Sequence, residues 1–443
     1  MVPTLNDPAV IRRLIPAGAD VPVTDQALEV IRSQVSDHRI STTERYRRQT
    51  GLLVQVVNPA ELSPSPLMDD LDLKGHENYL GGGGYGLVYK AEFFGSAVAI
   101  KKLKLGGGGM QRASVQQLNQ FHNEVRLMSM WRHHNIIALQ GVVIEPTCCC
   151  LMMDYIPVTL SFKLQQLLAA VPQQMRYDQA GRVQTLSAAA AARLEELFPL
   201  KLRLHLLKGV LSGLQFLHAK KVAHRDLKPS NILLSNDWVP KLIDFGLSRL
   251  MKAFTQPDKT SSSSSGAPAG RISTTDDDTK QAQGHGRPGS SGGRLFSGED
   301  LSQEGTLIYM APELLFTSQQ RVDMFGSDEI DPFACDIWAV GMIMYELLSF
   351  RPPFYHLPVS KDSLRNFIVS GQLPLLAPCL TAAGAGAGAA PKWLLDVMKQ
   401  CWQQRPVDRP NLSTIIALLK QHCPADVIVP NLSPSAHGVT VAL

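Results

Sequence analysis

The sequence has no uninterrupted apolar run near the roughly 18–20 residues that a membrane-crossing helix needs, so no membrane span is expected. It has no CxxC pair and no zinc-ligand spacing, and its seven cysteines, at 148, 149, 150, 335, 379, 401 and 423, are odd in number. That combination argues against a disulfide framework and for reduced thiols in a cytosol-like compartment, so a cytoplasmic location is expected. Charge is sparse: charged residues make up 19% of the chain and the net charge is +4, too mild a balance to point to nucleic acid or a membrane surface as partner. The opening MVPTLNDPAVIRR lacks a long apolar stretch and carries Asp7, which argues against a secretory signal; Asp7 and Asp20 together argue against a transit peptide. No internal repeat is visible. What the chain does have is 443 residues with 44% hydrophobic content, enough for a sizeable core in two or three domains or in one large two-lobed domain.

Organisation shifts along the chain. DQALEVIRSQV (Asp25 to Val35) places apolar residues at helical spacing, with Thr24 or Asp25 as N-cap. ERYRRQ (Glu44 to Gln49) reads as a solvated helix face, and SPSP at 63–66 breaks any element there and reads as a linker. From about 75 to 157 the pattern is that of strands, with one helix around 113–131; from 158 to about 424 helical patterns dominate. The CCC run at 148–150 leads into LMM and reads as a buried strand rather than a metal site, because adjacent strand residues point to opposite faces. The stretch 254–303 contains SSSSS, DDD and SGG and is expected to be disordered, and TAAGAGAGAA (381–390) reads as a flexible surface loop. SAAAAARLEELF (187–198) reads instead as a helix with Ser187 as its cap.

Two GGGG runs stand at 81–84 and 106–109. Gly81, Gly83 and Gly86 satisfy GxGxxG, which is weak by itself. A dinucleotide-binding loop would lead into a helix, but GLVYKAEF follows Gly86 and favours a strand. A Walker loop would need GK[ST], and Leu87 follows Gly86. The remaining reading is a hairpin folded over nucleotide phosphates, with Val88 packed on the base and a VAIK lysine on the next strand; VAIK stands at Val98–Lys101. Further motifs follow in order: FHNEVRLMSMWRHHNIIALQGV (Phe121 to Val142) with Glu124, HRDLKPSN (His224 to Asn231), DFG (Asp244 to Gly246), GTLIYMAPE (Gly305 to Glu313), DIWAVG (Asp336 to Gly341) and CWQQRPVDRP (Cys401 to Pro410). On these motifs the chain resembles a eukaryotic-type protein kinase over about 75–424, and within that family the tyrosine-kinase-like group of serine/threonine kinases.

The resemblance implies a bilobal α+β fold. It divides the chain into an N-terminal extension (1–74), an N-lobe (75–157), a C-lobe (158–424, with insertions at about 169–196, 254–303 and 381–390) and a tail (425–443). It implies ATP and Mg2+, with Mn2+ as an alternative ion, and protein substrates bearing Ser or Thr. Gly81, Gly82, Gly83, Gly84, Tyr85 and Gly86 would form the phosphate flap, with Gly82 and Gly84 as extra glycines. Lys101 would anchor the α- and β-phosphates, oriented by Glu124. Asp226 would accept the substrate hydroxyl proton, Lys228 would steady the γ-phosphate, and Asn231 and Asp244 would ligate magnesium. Val88, Ala99 and Leu233 would sandwich adenine. Met153 would be the gatekeeper and Asp154, Tyr155 and Ile156 the hinge. His224 would be structural, packing on Phe245. Asp336 would bond the catalytic-loop backbone, and Glu313 and Arg409 would form a buried pair. Arg225 implies control by an activation-segment phosphate, with Ser302 favoured as acceptor over Thr274 and Thr275, while Thr306 would bridge Asp226 and Lys228.

Three departures stand out from the family pattern. Asp244 and Glu313 are 69 positions apart, longer than is usual. PVTLSFKL follows the hinge where a small-residue turn is common, and an insertion precedes the helix leading to HRD. Neither of the last two touches a catalytic position. The expected function is transfer of the ATP γ-phosphate to protein Ser/Thr hydroxyls; the alternatives are a kinase-like scaffold with weak or no activity, and a dual-specificity or tyrosine kinase.

Overall fold

The computed structural model describes residues 54–68, 70–82, 86–103, 115–145, 148–172, 188–245, 249–250, 307–355, 357, 360–376 and 390–423. Several expectations fall outside these residues: Gly83, Gly84, Tyr85, the helix at 25–35, the basic cluster at 44–49, the glycine run 106–109, Ser187, Gly246, the serine-rich stretch 254–303 with Thr274, Thr275 and Ser302, Gly305, Thr306, positions 381–389 and the tail.

The first half is built on a six-stranded sheet. Its strands are β1 (Leu62–Ser63), β2 (Tyr79–Gly82), β3 (Gly86–Phe93), β4 (Ser96–Leu103), β5 (Leu139–Glu145) and β6 (Cys148–Asp154). The order is β1-β3-β4-β6-β5, with β2 also on β3, and the strand pairs are antiparallel. The β3–β4 hairpin closes on Phe94 and Gly95, both at positive φ (49° and 77°), the two-residue turn that matches strand twist. Every residue of β6 except Asp154 is buried, the three cysteines included, because both faces of this strand are covered. A short helix α1 (Asp70–Gly75) and the chain before it cover the outer face, and α2 (Val115–Met130) packs at β5. SPSP is therefore no linker: Pro64 and Pro66 are buried, and Leu62 and Leu73 sit in an apolar cluster with Tyr89, Ile100, Val143, Cys150 and Met152.

The second half is helical. Short β7 (Val158–Thr159) pairs with β9 (Ile232–Leu234), which pairs with β10 (Pro240–Leu242). This explains PVTLSFKL after the hinge. Val158 and Thr159 add a strand beside Leu234 and Leu233, and the Thr159 hydroxyl then caps α3 (Leu160–Ala169) by accepting the Phe162 N–H at 3.1 Å. Part of the insertion is a packed element. Helix α4 (Ala188–Leu197) buries Ala190 and Leu194 and pairs Glu195 with the buried Arg203 of α5 (Leu200–Ala219). Helix α5 turns Leu202, Leu206, Val210, Leu214 and Leu217 inward at helical spacing.

The remaining described elements are β8 (Val222–Ala223), β11 (Arg249–Leu250), α6 (Pro312–Leu315), α7 (Ser318–Phe325), α8 (Pro332–Ser349), α9 (Lys361–Val369), α10 (Lys392–Cys401) and α11 (Leu412–His422). Helix α8 is buried nearly all round, as its PFACDIWAVGMIMYELLS sequence requires, and acts as the pedestal of this half. Asp331 caps it by accepting the Phe333 N–H, and Pro332 supplies a pre-set first-turn φ. Beneath it Arg409 grips Glu313 in a two-pronged pair at 2.6 and 2.7 Å, with both side chains almost wholly buried.

Removing one member of that pair strands the other charge in the interior. Arg409→Ala should destabilise the protein by about 3–5 kcal/mol in urea unfolding. A loss below about 1 kcal/mol would mean that water reaches Glu313.

Candidate functional site

The site gathers at the junction of β4, α2 and the loops that follow β8 and β10. Alternation along β4 sends Lys101 to the inner face. Its ammonium lies 2.8 Å from Glu124 Oε1, 3.1 Å from Glu124 Oε2 and 2.8 Å from Asp244 Oδ1. Burial alone would pull the Lys101 pKa down, but the two carboxylates outweigh it and hold it above its ordinary value. Burial also acts on Asp244, yet Lys101 prevails and the Asp244 carboxyl stays below the usual range; Glu124 is pushed up, chiefly by burial.

A second cluster stands on the loop after β8. Lys228 Nζ lies 2.9 Å from Asp226 Oδ2, and the Asn231 amide donates to the Asp226 carbonyl at 2.7 Å and to Asp226 Oδ2 at 2.9 Å. Burial raises the Asp226 pKa, opposed by Lys228. A carboxylate so placed is a better proton acceptor than an exposed one. The Asn231 amide nitrogen is committed to Asp226, which leaves its side-chain oxygen to ligate. Among the described residues no cluster of three or more His, Cys, Asp or Glu forms a metal cage. A cation here would take oxygens from Asn231 and Asp244 and the rest from phosphate and water, the coordination that Mg2+ favours.

Both loops are held in costly conformations. Arg225 and Asp244 sit at φ 69° and 64°, left-handed values that cost a side-chain-bearing residue about 1–3 kcal/mol. Asp336 on α8 maintains the first. Its carboxylate accepts the His224 N–H at 2.8 Å and the Arg225 N–H at 2.9 Å, and lies 2.9 Å from His218 Nε2. His224 has both ring nitrogens engaged, with Nε2 donating to the Ile243 carbonyl and Nδ1 accepting the Asp226 N–H, and its ring lies 5.5 Å from that of Phe245. Trp131 closes on Phe245 from the other side at 5.4 Å.

Of the nucleotide-facing candidates, Val88 stands on β3, Ala99 on β4 and Met153 on β6. Ala99 pairs in register with Met153, and Leu233 stands on β9. Asp154, the last residue of β6, and Tyr155 and Ile156 just beyond it are each half-buried, with the Lys90 ammonium 5.2 Å over the Tyr155 ring. Gly86 admits no side chain, since a Cβ there would come within 2.4 Å of the Lys102 carbonyl. At Gly82 a Cβ would meet Tyr79 Oη at 2.8 Å and Leu87 Cδ2 at 2.9 Å, the ends of side chains that can shift.

Sequence reasoning passed over His218, Trp131 and the pair Tyr309–Glu346. The Tyr309 hydroxyl donates to Glu346 Oε2 at 2.5 Å and ties the segment before α6 to α8. His218, six residues before His224, had position as its only cue.

The protein kinase domain family matches residues 75–269 and 293–421, well over half of the chain. The chain is 26% identical to serine/threonine-protein kinase CTR1 of Arabidopsis thaliana, over 82% of this chain and 33% of that protein. It is 25% identical to mitogen-activated protein kinase kinase kinase 13-B of Xenopus laevis, over 76% of this chain and 24% of the relative. It is 24% identical to dual specificity protein kinase shkC of Dictyostelium discoideum, over 81% of this chain and 53% of the relative. The chain thus spans between a quarter and about half of the length of these relatives.

Burial pushes the Glu346 carboxyl from its ordinary 4.5 up to about 7. The folded protein therefore holds this proton more tightly than the unfolded chain. Its contribution to stability is complete below pH 4.5 and is lost as pH rises through about 7. Glu346→Gln keeps an acceptor for Tyr309 and removes the ionisation. Urea unfolding at pH 5 and pH 8 should show the variant gaining on wild type by about 3 kcal/mol across that interval. A difference that does not change with pH would refute the assignment.

Proposed function

The chain belongs to the protein kinase domain family, and from that premise we propose that it is an ATP-dependent protein kinase that phosphorylates serine and threonine hydroxyls. The observation that carries this reading is the Lys101 ammonium, 2.8 Å from both Glu124 and Asp244. Pseudo-enzymatic scaffolds have no need to bury such a triad beside an intact Asp226–Lys228 pair.

In this reading Lys101 binds the α- and β-phosphates of ATP. Asp226 orients the acceptor hydroxyl and takes its proton as the oxygen bonds to the γ-phosphorus, the bond to the β–γ bridging oxygen breaks and ADP leaves with that oxygen, while Lys228 offsets the charge developing on the transferred group. A divalent cation, Mg2+ by the hardness of its ligands or Mn2+ in its place, neutralises phosphate charge when bound by Asn231 and Asp244. The serine/threonine assignment is supported by Lys228 in HRDLKPSN and by the likeness to CTR1. The likeness to shkC supports dual specificity as the second reading. A cytosolic setting belongs to the proposal, supported by the described cysteines remaining as thiols. Among the described residues, no helix is long and apolar enough to cross a membrane.

Transfer of labelled γ-phosphate to a generic protein substrate should occur with wild type. It should fall by at least about 1,000-fold in Asp226→Ala, vanish with a chelator and return with Mg2+ or Mn2+. Equal transfer by the two proteins would sink the mechanism, and phosphoamino-acid analysis of the product separates the two specificities. Lys101→Met should abolish transfer while leaving far-UV dichroism intact; retained turnover, or loss of folded protein, contradicts the role given to Lys101.

A further inference from the structure

The region matched by the kinase family begins at residue 75, yet the described chain before it is built into the sheet. Residues 54–63 cross the outer face from one edge to the other. At the β5 edge the Val57 N–H donates to the Val142 carbonyl and the Val142 N–H to the Gln55 carbonyl, both at 2.8 Å. At the opposite edge Leu62 and Ser63 pair with Phe93 and Glu92 of β3. Between them, Val57, Leu62 and Leu73 are 2%, 4% and 0% exposed against the apolar cluster beneath.

Two features show a fitted seat rather than a chance covering. A Cβ on Gly141 of β5 would lie 2.8 Å from Val57 Cγ2 and 2.9 Å from the Gln55 carbonyl, so the segment approaches as closely as a glycine permits. Lys102 is 8% exposed, and its ammonium donates to the Met68 carbonyl at 2.7 Å. Burying a lysine is costly and needs a polar partner to offset it. Lys102 is also the immediate neighbour of Lys101. Alternation on β4 turns one lysine inward to Glu124 and Asp244 and the other outward to the strap.

We propose that residues 54–68 and 70–73 form a clamp on the outer face of the sheet that sets the position of β4, with Lys102 as a positioning residue for Lys101. The clamp fixes the strand from behind, and the ammonium one residue along is held at its distance from Glu124. Misplacement of a phosphate-binding group by a fraction of an ångström weakens ATP binding without removing any catalytic atom. The proposal rests on the reading of Lys101 as the phosphate anchor.

The test uses the full chain and three variants: Lys102→Met, Lys102→Arg and Gly141→Ala. Amide hydrogen exchange over 54–63 and 96–103 reads the clamp without reference to activity, and the KM for ATP against kcat reads its effect on the site. Lys102→Met and Gly141→Ala should both speed exchange across 54–63 and across β4 by about tenfold and raise the KM for ATP about threefold or more. Lys102→Arg should stay near wild type. Unchanged β4 exchange overturns the clamp, and a lowered Tm with an unchanged KM reduces it to mere covering and overturns the positioning role. If Gly141→Ala does not fold, Lys102→Met and the milder Val57→Ala decide by the same readouts. A wild type without ATP-dependent transfer defeats the kinase reading, while the exchange result still decides the clamp.

Discussion

An ammonium ion buried against two carboxylates is stable only if all three groups arrive together. The Lys101 side chain is 13% exposed, and it draws its partners from positions 23 and 143 residues further along the chain. Removing Lys101 leaves two carboxylates facing each other without a counter-charge, at a cost to stability. The sheet, the helix carrying Glu124 and the loop carrying Asp244 are therefore energetically linked through a single nitrogen. Counting charges, Lys101, Glu124 and Asp244 sum to minus one, and the Asp226–Lys228 pair adds nothing. The floor of the cleft is thus left acidic, and a divalent cation arriving with a polyphosphate is the natural complement.

The same logic of over-determination runs through the loops. Left-handed φ at Arg225 and Asp244 would relax if the backbone were free. Asp336 binds the N–H groups of His224 and Arg225 from a helix that is itself buried nearly all round, so the loop cannot move without exposing a charged acceptor. Phe245, held between the His224 and Trp131 rings, does for the Asp244 loop what Asp336 does for the other. Strain at the site is thus sustained by the most deeply buried parts of the fold.

Much of this was legible because it is local. HRDLKPSN, VAIK and DFG each place their functional side chains within a few residues, and turn geometry and strand alternation do the rest. The α+β division followed from the change of period near residue 158. The less legible parts depend on contacts between distant segments. SPSP has the composition of a linker, yet its prolines are buried and the flanking Leu62 and Leu73 join the apolar cluster of the sheet. In the glycine-rich stretch the need for Gly86 is set by a distant partner, because the Lys102 carbonyl that excludes a Cβ there is brought close by β3–β4 pairing. Glu346 lies in a helix whose apolar pattern gives no hint of a buried acid, and Tyr309 reaches it from 37 residues away.

The long separation between Asp244 and Glu313 fits this scheme. Loop closure grows only logarithmically with length, so doubling a connection costs about 0.6 kcal/mol. What matters is whether its ends are fixed. One end is fixed by Asp244 on Lys101 at 2.8 Å, the other by Glu313 on Arg409 at 2.6 Å, and the latter pair lies against α8 with Arg409 also bonded to the Ala334 carbonyl. The chain between can lengthen with little effect on either anchor. The inserted stretch after α3 obeys the same rule: it re-enters through α4, whose Glu195 meets Arg203, and Arg203 in turn donates to the Leu347 carbonyl of α8. Both of these returns to the core are made through charged pairs that hold to α8, Glu313 with Arg409 and Glu195 with Arg203.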